Sequence, residues 1–133
     1  MEYPKEYRYT KADEWVDVKG ELGTVGLTHE AQCRLGDIVF IELPPVGTRL
    51  EAGKPLGIVE SVKAVFEIFA PVSGEVVEVN STLTQAPETV NADPHGAGWL
   101  IKVRLTSAAE ADALMDAATY ESYAAQPERE SSH

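Results

Sequence analysis

The chain predicts a mainly β domain with one short helix in its N-terminal half and another near its C-terminus, and three observations carry that expectation. Short runs of alternating apolar and polar residues recur between residues 7 and 105, with glycines and prolines between them. Period-two alternation marks strands with one buried face. Two such runs meet at Lys63, with Leu56 and Ile58 before it and Phe66, Ile68 and Ala70 after it. A strand-rich segment rarely interrupts itself with a lysine except at a turn, so Lys63 is placed at a hairpin tip. The pattern then changes at Ser107, beyond which Ala111, Leu114 and Met115 fall at helical spacing.

Residues 7–10, 14–18 and 22–26 read as strands of an N-terminal antiparallel layer. Thr28 is a side-chain cap for a short helix through Ala31 and Gln32 to Leu35, ended by Gly36. Residues 37–43, 56–62, 64–70 and 76–79 follow as strands, and residues 82–90 are a loop or a weak helix broken by Pro87. Residues 99–105 form a further strand with Trp99, Ile101 and Val103 on one face, Trp99 being expected in the core. The SAAE at 107–110 reads as a capping box opening a helix over 108–117. Tyr120 and Tyr123 are expected in a second short turn against the barrel, and residues 126–133 as a polar, frayed tail. The 133 residues make one domain with its core over about 7–123, and no repeat of solenoid period is visible.

Composition excludes more than it assigns. A net charge of −11 argues against nucleic acid and anionic membranes and suits a soluble protein that meets basic partners. One cysteine rules out an internal disulfide framework and fits a reducing compartment. No apolar run is long enough to span a bilayer as a helix. The N-terminus lacks a secretory or transit signal, so a cytoplasmic location is expected. His29 and Cys33 lie four apart on the expected helix, a spacing that can present two metal ligands. No second pair accompanies them, His95 and His133 falling in separate loops, so a buried or capping role is the expectation. Neither a phosphate-binding nor a dinucleotide fingerprint precedes a helix, and nothing marks a nucleophile elbow. The chain reads as non-catalytic.

Pattern alone leaves Lys63 open between a solvated turn lysine and an attachment handle. Its setting, ESVKA at 60–64 with Gly74 eleven positions on, resembles the lipoyl-carrying proteins. YT at 9–10, EWV at 14–16, TVG at 24–26, AQ at 31–32, LGDIVFIELP at 35–44, APVSGEV at 70–76, Asn80, Asn91 and GWL at 98–100 extend the match. In that order, these motifs resemble the H-protein family of the glycine cleavage system over roughly residues 7–123. Lipoyl domains of 2-oxo acid dehydrogenases and biotin carriers share the hairpin lysine but not the GW at 98–99 or the C-terminal helix.

The resemblance implies a barrel-sandwich hybrid fold with lipoate amide-linked to Lys63. It implies a carrier that moves the aminomethyl remnant of glycine between a pyridoxal-phosphate decarboxylase, a tetrahydrofolate-dependent aminomethyltransferase and a dihydrolipoyl dehydrogenase. A lipoate ligase or lipoyltransferase is the further partner, reading Glu60 and Gly74, and a monomer is the expected state. Relay of lipoyl or octanoyl groups in lipoate assembly is the alternative. A protonated aminomethyl group folded against the carrier needs a carboxylate partner, for which Glu14 and Glu67 are the candidates. Two departures touch the lining of such a groove: Asp13 stands where the family has a histidine before Glu-Trp, and Val65 and Phe66 replace small polar residues.

Overall fold

A computed structural model describes residues 3–126. Among the described residues nine strands form two antiparallel sheets. The larger has the order β1 (Arg8–Tyr9), β2 (Glu14–Lys19), β3 (Leu22–Leu27), β9 (Ile101–Leu105), β8 (Gly74–Val79), β5 (Arg49–Leu50). The smaller is β4 (Ile38–Glu42), β6 (Pro55–Ser61), β7 (Val65–Phe69). Apolar residues of both sheets meet between them, Val16, Val25, Val76, Ile101 and Val103 from one and Ile41, Val59 and Ile68 from the other. This is the barrel-sandwich arrangement the sequence implies.

Helix α1 (His29–Leu35) follows β3 and turns the chain into the smaller sheet. The Thr28 hydroxyl accepts from the Ala31 N–H, and Gly36 closes the helix at φ 80°, a left-handed conformation that favours glycine. Two single-turn helices, α2 (Thr82–Gln85) and α3 (Thr89–Ala92), occupy the segment around Pro87 and bury Leu83 and Val90.

Several boundaries differ from the sequence reading. The helix expected over 108–117 is a single turn, α4 (Ala109–Asp112), and Glu110 does not cap it. Its carboxylate instead accepts from the Ser73 N–H (2.7 Å) and hydroxyl (3.0 Å), and Met115 bridges to Tyr9. The main C-terminal helix is α5 (Ala117–Ala124), capped by Asp116, and it contains the tyrosines expected in a turn. Trp99 is only partly buried and precedes β9. Trp15 is the core tryptophan, at 1% exposure, and its indole N–H donates to the carbonyls of Leu27 and Pro94. A Cβ on Gly26 would lie 2.5 Å from the Trp15 ring, so the glycine in β3 makes room for the ring across the register pair. In β6 a register shift between Pro55 and Gly57 leaves Leu56 and Val59 buried and Ile58 half-exposed. The short strand β5 carries too few residues to show a period. The tail from residue 127 onward lies outside the described residues.

The second cluster is aromatic. Tyr9 and Tyr120 are both fully buried, their rings stacked at 4.9 Å, with Trp15 beside them and Tyr7 stacked on Trp15 at 4.4 Å. This cluster binds α5 to β1 and β2 and so braces the turn between those strands.

Candidate functional site

The β6–β7 hairpin pairs Glu60 with Val65 and puts Val62 and Lys63 at its tip. Ser61 builds the turn: its N–H donates to the Ala64 carbonyl (2.9 Å), and its hydroxyl oxygen accepts from the Lys63 N–H (3.1 Å). The Val62 N–H donates to the Asp37 carbonyl (3.0 Å), tying the tip to the chain entering β4. Lys63 is exposed, and its Nζ donates to the Arg34 carbonyl (3.3 Å) in the last turn of α1. A cation is favoured at that negative helix end. Its backbone is therefore fixed by neighbours while its amine stays accessible.

Beside Lys63 opens a groove of about 810 Å³. Arg34, Leu35, Val65 and Phe66 line it near the lysine, and Asp13 and Glu14 line it where β7 ends at Phe69. The four steps from Val65 to Phe69 span about 13 Å of strand. The groove is thus apolar along most of β7, interrupted by Glu67, and gathers Lys11, Asp13 and Glu14 at its far end.

Glu14 is 2% exposed, and both carboxylate oxygens are engaged. Oε1 accepts from the Thr10 hydroxyl (2.9 Å) and Oε2 from the Phe69 N–H (3.0 Å). Burial pushes its pKa up to about 7; the two hydrogen bonds oppose that rise, and neighbouring Asp13 adds to it. Such a group is balanced between its neutral and charged forms near neutrality, and a cation entering the groove selects the carboxylate.

The turn before Glu14 is held from the C-terminal side. Asp13 is buried at φ 66°, and its Oδ1 accepts from the Tyr120 hydroxyl (2.7 Å), which also lies 2.7 Å from the Thr28 hydroxyl. Tyr123 donates to the Lys11 carbonyl (2.9 Å) and itself lines the groove. Helix α5 thereby grips both ends of residues 11–13.

Of the residues singled out from sequence, Glu14 and Glu67 share this groove, and Lys63 reaches its edge through Arg34. Glu14 is deeply buried, whereas Glu67 is exposed on the rim. Glu60 is half-exposed in β6, three residues before Lys63. Gly74 stands apart in the larger sheet between Leu50 and Leu105, where a Cβ would strike the Arg104 carbonyl oxygen. Asp13, Val65 and Phe66, the departures from the family pattern, all line the groove. Cys33 is exposed rather than buried, its Sγ 3.4 Å from the His29 ring. His95 is not remote from that pair, since its Nε2 accepts from the His29 N–H (3.1 Å), and burial lowers its pKa to about 4. Among the described residues no group of three His, Cys, Asp or Glu is placed to hold a metal, and no helix is long and apolar enough to cross a membrane. Sequence reasoning missed Thr10, the Phe69 amide and Tyr120. Thr10 carries a weak local signal, a hydroxyl four residues before a glutamate; the Phe69 amide carries none, and for Tyr120 the pattern marks the packing of the ring but not the role of its hydroxyl.

Comparison with known proteins places this geometry. A family model described as glycine cleavage H-protein matches residues 7–127. The chain is 54% identical to the glycine cleavage system H protein of Acidobacterium capsulatum, over 92% of this chain and 95% of that one. It is 53% identical to the one from Brevibacillus brevis, over 91% and 96%. A crystal structure of a glycine cleavage system H protein from Mycobacterium marinum superposes with a TM-score of 0.83 at 40% identity, covering 90% of this chain and 97% of that one.

Proposed function

The chain belongs to the glycine cleavage H-protein family, non-catalytic lipoyl carriers of glycine cleavage, and on that premise we propose that it carries lipoate on Lys63. The observation that carries this reading is the position of Lys63: an accessible amine on a fixed hairpin tip, beside a groove that ends at a buried carboxylate. A primary amine is the group an acyl chain requires, and the turn supplies rigid support without enclosing it. When bound, lipoate supplies a dithiolane that accepts the aminomethyl remnant of glycine and is later reoxidised.

The protein's own residues would bind and shield. The apolar flank of Leu35, Val65 and Phe66 excludes water from the arm. Glu14, held by Thr10 and Phe69, would offer its carboxylate to the cationic amine of the cargo, and Glu67 would add a screened charge at the rim. Membership of the system implies the decarboxylase, aminomethyltransferase and dihydrolipoyl dehydrogenase as partners. We further assign Glu60 as a feature read by the enzyme that acylates Lys63, and Gly74 as a backbone requirement of the same domain. The carrier is a cytoplasmic monomer of one domain over residues 1–133 in this reading.

The test is intact mass and peptide mapping of protein purified from its native host. Lipoyl mass confined to the peptide containing Lys63 supports the assignment. Its absence there, or its presence on another lysine, overturns it.

A further inference from the structure

Asp13 is the single non-glycine residue at positive φ among the described residues, and it directly precedes Glu14. Aspartate tolerates the left-handed conformation better than most residues, yet it persists there only where its surroundings hold it. The Asp13 N–H donates to the Thr10 carbonyl (3.2 Å), and its carbonyl accepts from the Thr28 N–H (3.0 Å). Those are main-chain bonds. The side chain is held from α5, where Oδ1 accepts from the hydroxyl of Tyr120 (2.7 Å), a fully buried ring stacked on Tyr9. The lone hydroxyl proton of Tyr120 goes to Asp13, so the Thr28 hydroxyl, 2.7 Å away, donates to Tyr120 while accepting from the Ala31 N–H. A relay of hydrogen bonds therefore runs from the cap of α1 through α5 to the residue before Glu14.

We propose that Tyr120 is a positioning residue for Glu14: its hydroxyl holds Asp13 in the left-handed conformation that turns the chain into β2 and carries the Glu14 carboxylate to its buried place at the end of the groove. Its part in glycine cleavage rests on the lipoyl reading of Lys63, with Glu14 as the partner of the cargo amine. Glu14 meets its donors only while the turn is closed. Thr10 Oγ1 accepts from the Ala12 and Glu14 N–H groups and donates to Glu14 Oε1, and the Phe69 N–H reaches Oε2 from β7. A rotation at Asp13, inside that loop, swings the carboxylate away from both. Ring packing does not replace the hydroxyl, since a phenylalanine at 120 fills the same space against Tyr9 and Tyr3 and gives Asp13 no donor. The displacement is readable on Glu14 itself. Burial holds its pKa up at about 7, so a carboxyl that swings outward binds its proton less tightly. Lys11 and Asp13 from its own turn, Arg34 from α1, Glu67 from β7 and Tyr123 from α5 share the groove with it, and all are retained in Tyr120→Phe.

The experiment titrates Glu14 by NMR of its carboxyl carbon in unmodified full-length wild type, Tyr120→Phe, Asp13→Ala and Asp13→Asn, with thermal unfolding as the check on folding. Tyr120→Phe should lower the proton affinity of Glu14 about tenfold. Asp13→Ala should lower it at least as far, because it removes both the anchor and a neighbouring negative charge. Asp13→Asn removes the same charge but keeps an oxygen for the Tyr120 hydroxyl and tolerates the left-handed conformation, so it should stay closer to wild type. After lipoylation and loading, Tyr120→Phe should release formaldehyde and ammonia several-fold faster than wild type at pH 8. An unchanged Glu14 titration in folded Tyr120→Phe overturns the positioning role, and a raised proton affinity overturns it in favour of a purely electrostatic effect of Asp13. If Tyr120→Phe does not fold, the Asp13 pair decides, and equal titration in Asp13→Ala and Asp13→Asn overturns the role. A lowered affinity with wild-type arm decay supports the positioning and removes Glu14 from cargo protection. Absence of lipoyl mass on Lys63 in protein from the native host removes the lipoyl reading, while the titration of unmodified protein still decides the positioning.

Discussion

The two ends of the groove are built by opposite means. At the hairpin end, the turn carrying Lys63 is built by residues within three positions of it, the Ser61 hydroxyl and the Ser61–Ala64 pairing, with one longer tie from the Val62 N–H to the Asp37 carbonyl. At the other end, Glu14 is held by the amide of Phe69, and its turn by Tyr120 and Tyr123 from more than a hundred residues away. The difference teaches where rigidity is needed. A lysine that must be reached and modified needs only a local frame and open solvent. A carboxylate that must stay buried, yet ionise for a cation, needs partners on every side.

The comparison breaks most visibly at Lys63. Lys63→Arg should abolish lipoyl incorporation completely, read by intact mass, while leaving stability within about 0.5 kcal/mol of wild type, as for other exposed substitutions. Removing Trp15, which packs behind the acidic end, should do the reverse. Trp15→Ala should cost about 3–5 kcal/mol in urea unfolding, the range for a buried tryptophan. Where it remains folded, its acylation rate should match wild type. Loss of acylation in that folded state would show that the two ends are not independent.

Glu14→Gln sharpens the electrostatic half. Its folded pKa lies above the unfolded value, so the stabilisation is fully present below about pH 4.5 and is lost as pH rises through about 7. Wild type should therefore lose about 3 kcal/mol between those limits from this one group, and the variant should lack that slope in urea midpoints. The loaded arm should show the complementary trend: at pH 8 the variant releases formaldehyde and ammonia faster than wild type, and the difference shrinks as falling pH protonates Glu14, at a lower pH than in the unloaded protein because the bound cation favours the carboxylate. Glu67→Gln is the smallest change. An exposed rim charge is screened, so arm decay should alter by less than about twofold. An effect of Glu67 equal to that of Glu14 would mean that depth in the groove is irrelevant.

Legibility in the sequence follows the same division. The strands, the Thr28 cap, the Gly36 stop and the Lys63 tip are local and were readable from period and punctuation. The burial of Glu14 was not, because a glutamate before Trp15 looks like a strand's solvent edge until β7 covers it. Glu110 shows how a local rule is overridden: the capping box was sound as sequence, but the Ser73 amide and hydroxyl offered its carboxylate two donors. Trp99, expected in the core, is only partly buried, and the core ring is Trp15, whose burial depends on Gly26 across the register and on Pro94 from a distant loop. Tyr120 combined helical spacing with a long-range hydroxyl role, and only its apolar ring left a mark in the pattern.

The contact between Lys63 Nζ and the Arg34 carbonyl has a consequence for timing. Before acylation the ammonium is moored at the negative end of α1, an attraction of about 0.3–1 kcal/mol. Amide formation removes that charge, takes the chain one unit beyond its net −11 and leaves only a neutral N–H for the carbonyl. The modification that equips the carrier also unmoors the side chain bearing it, so the arm's departure from its resting berth needs no separate trigger.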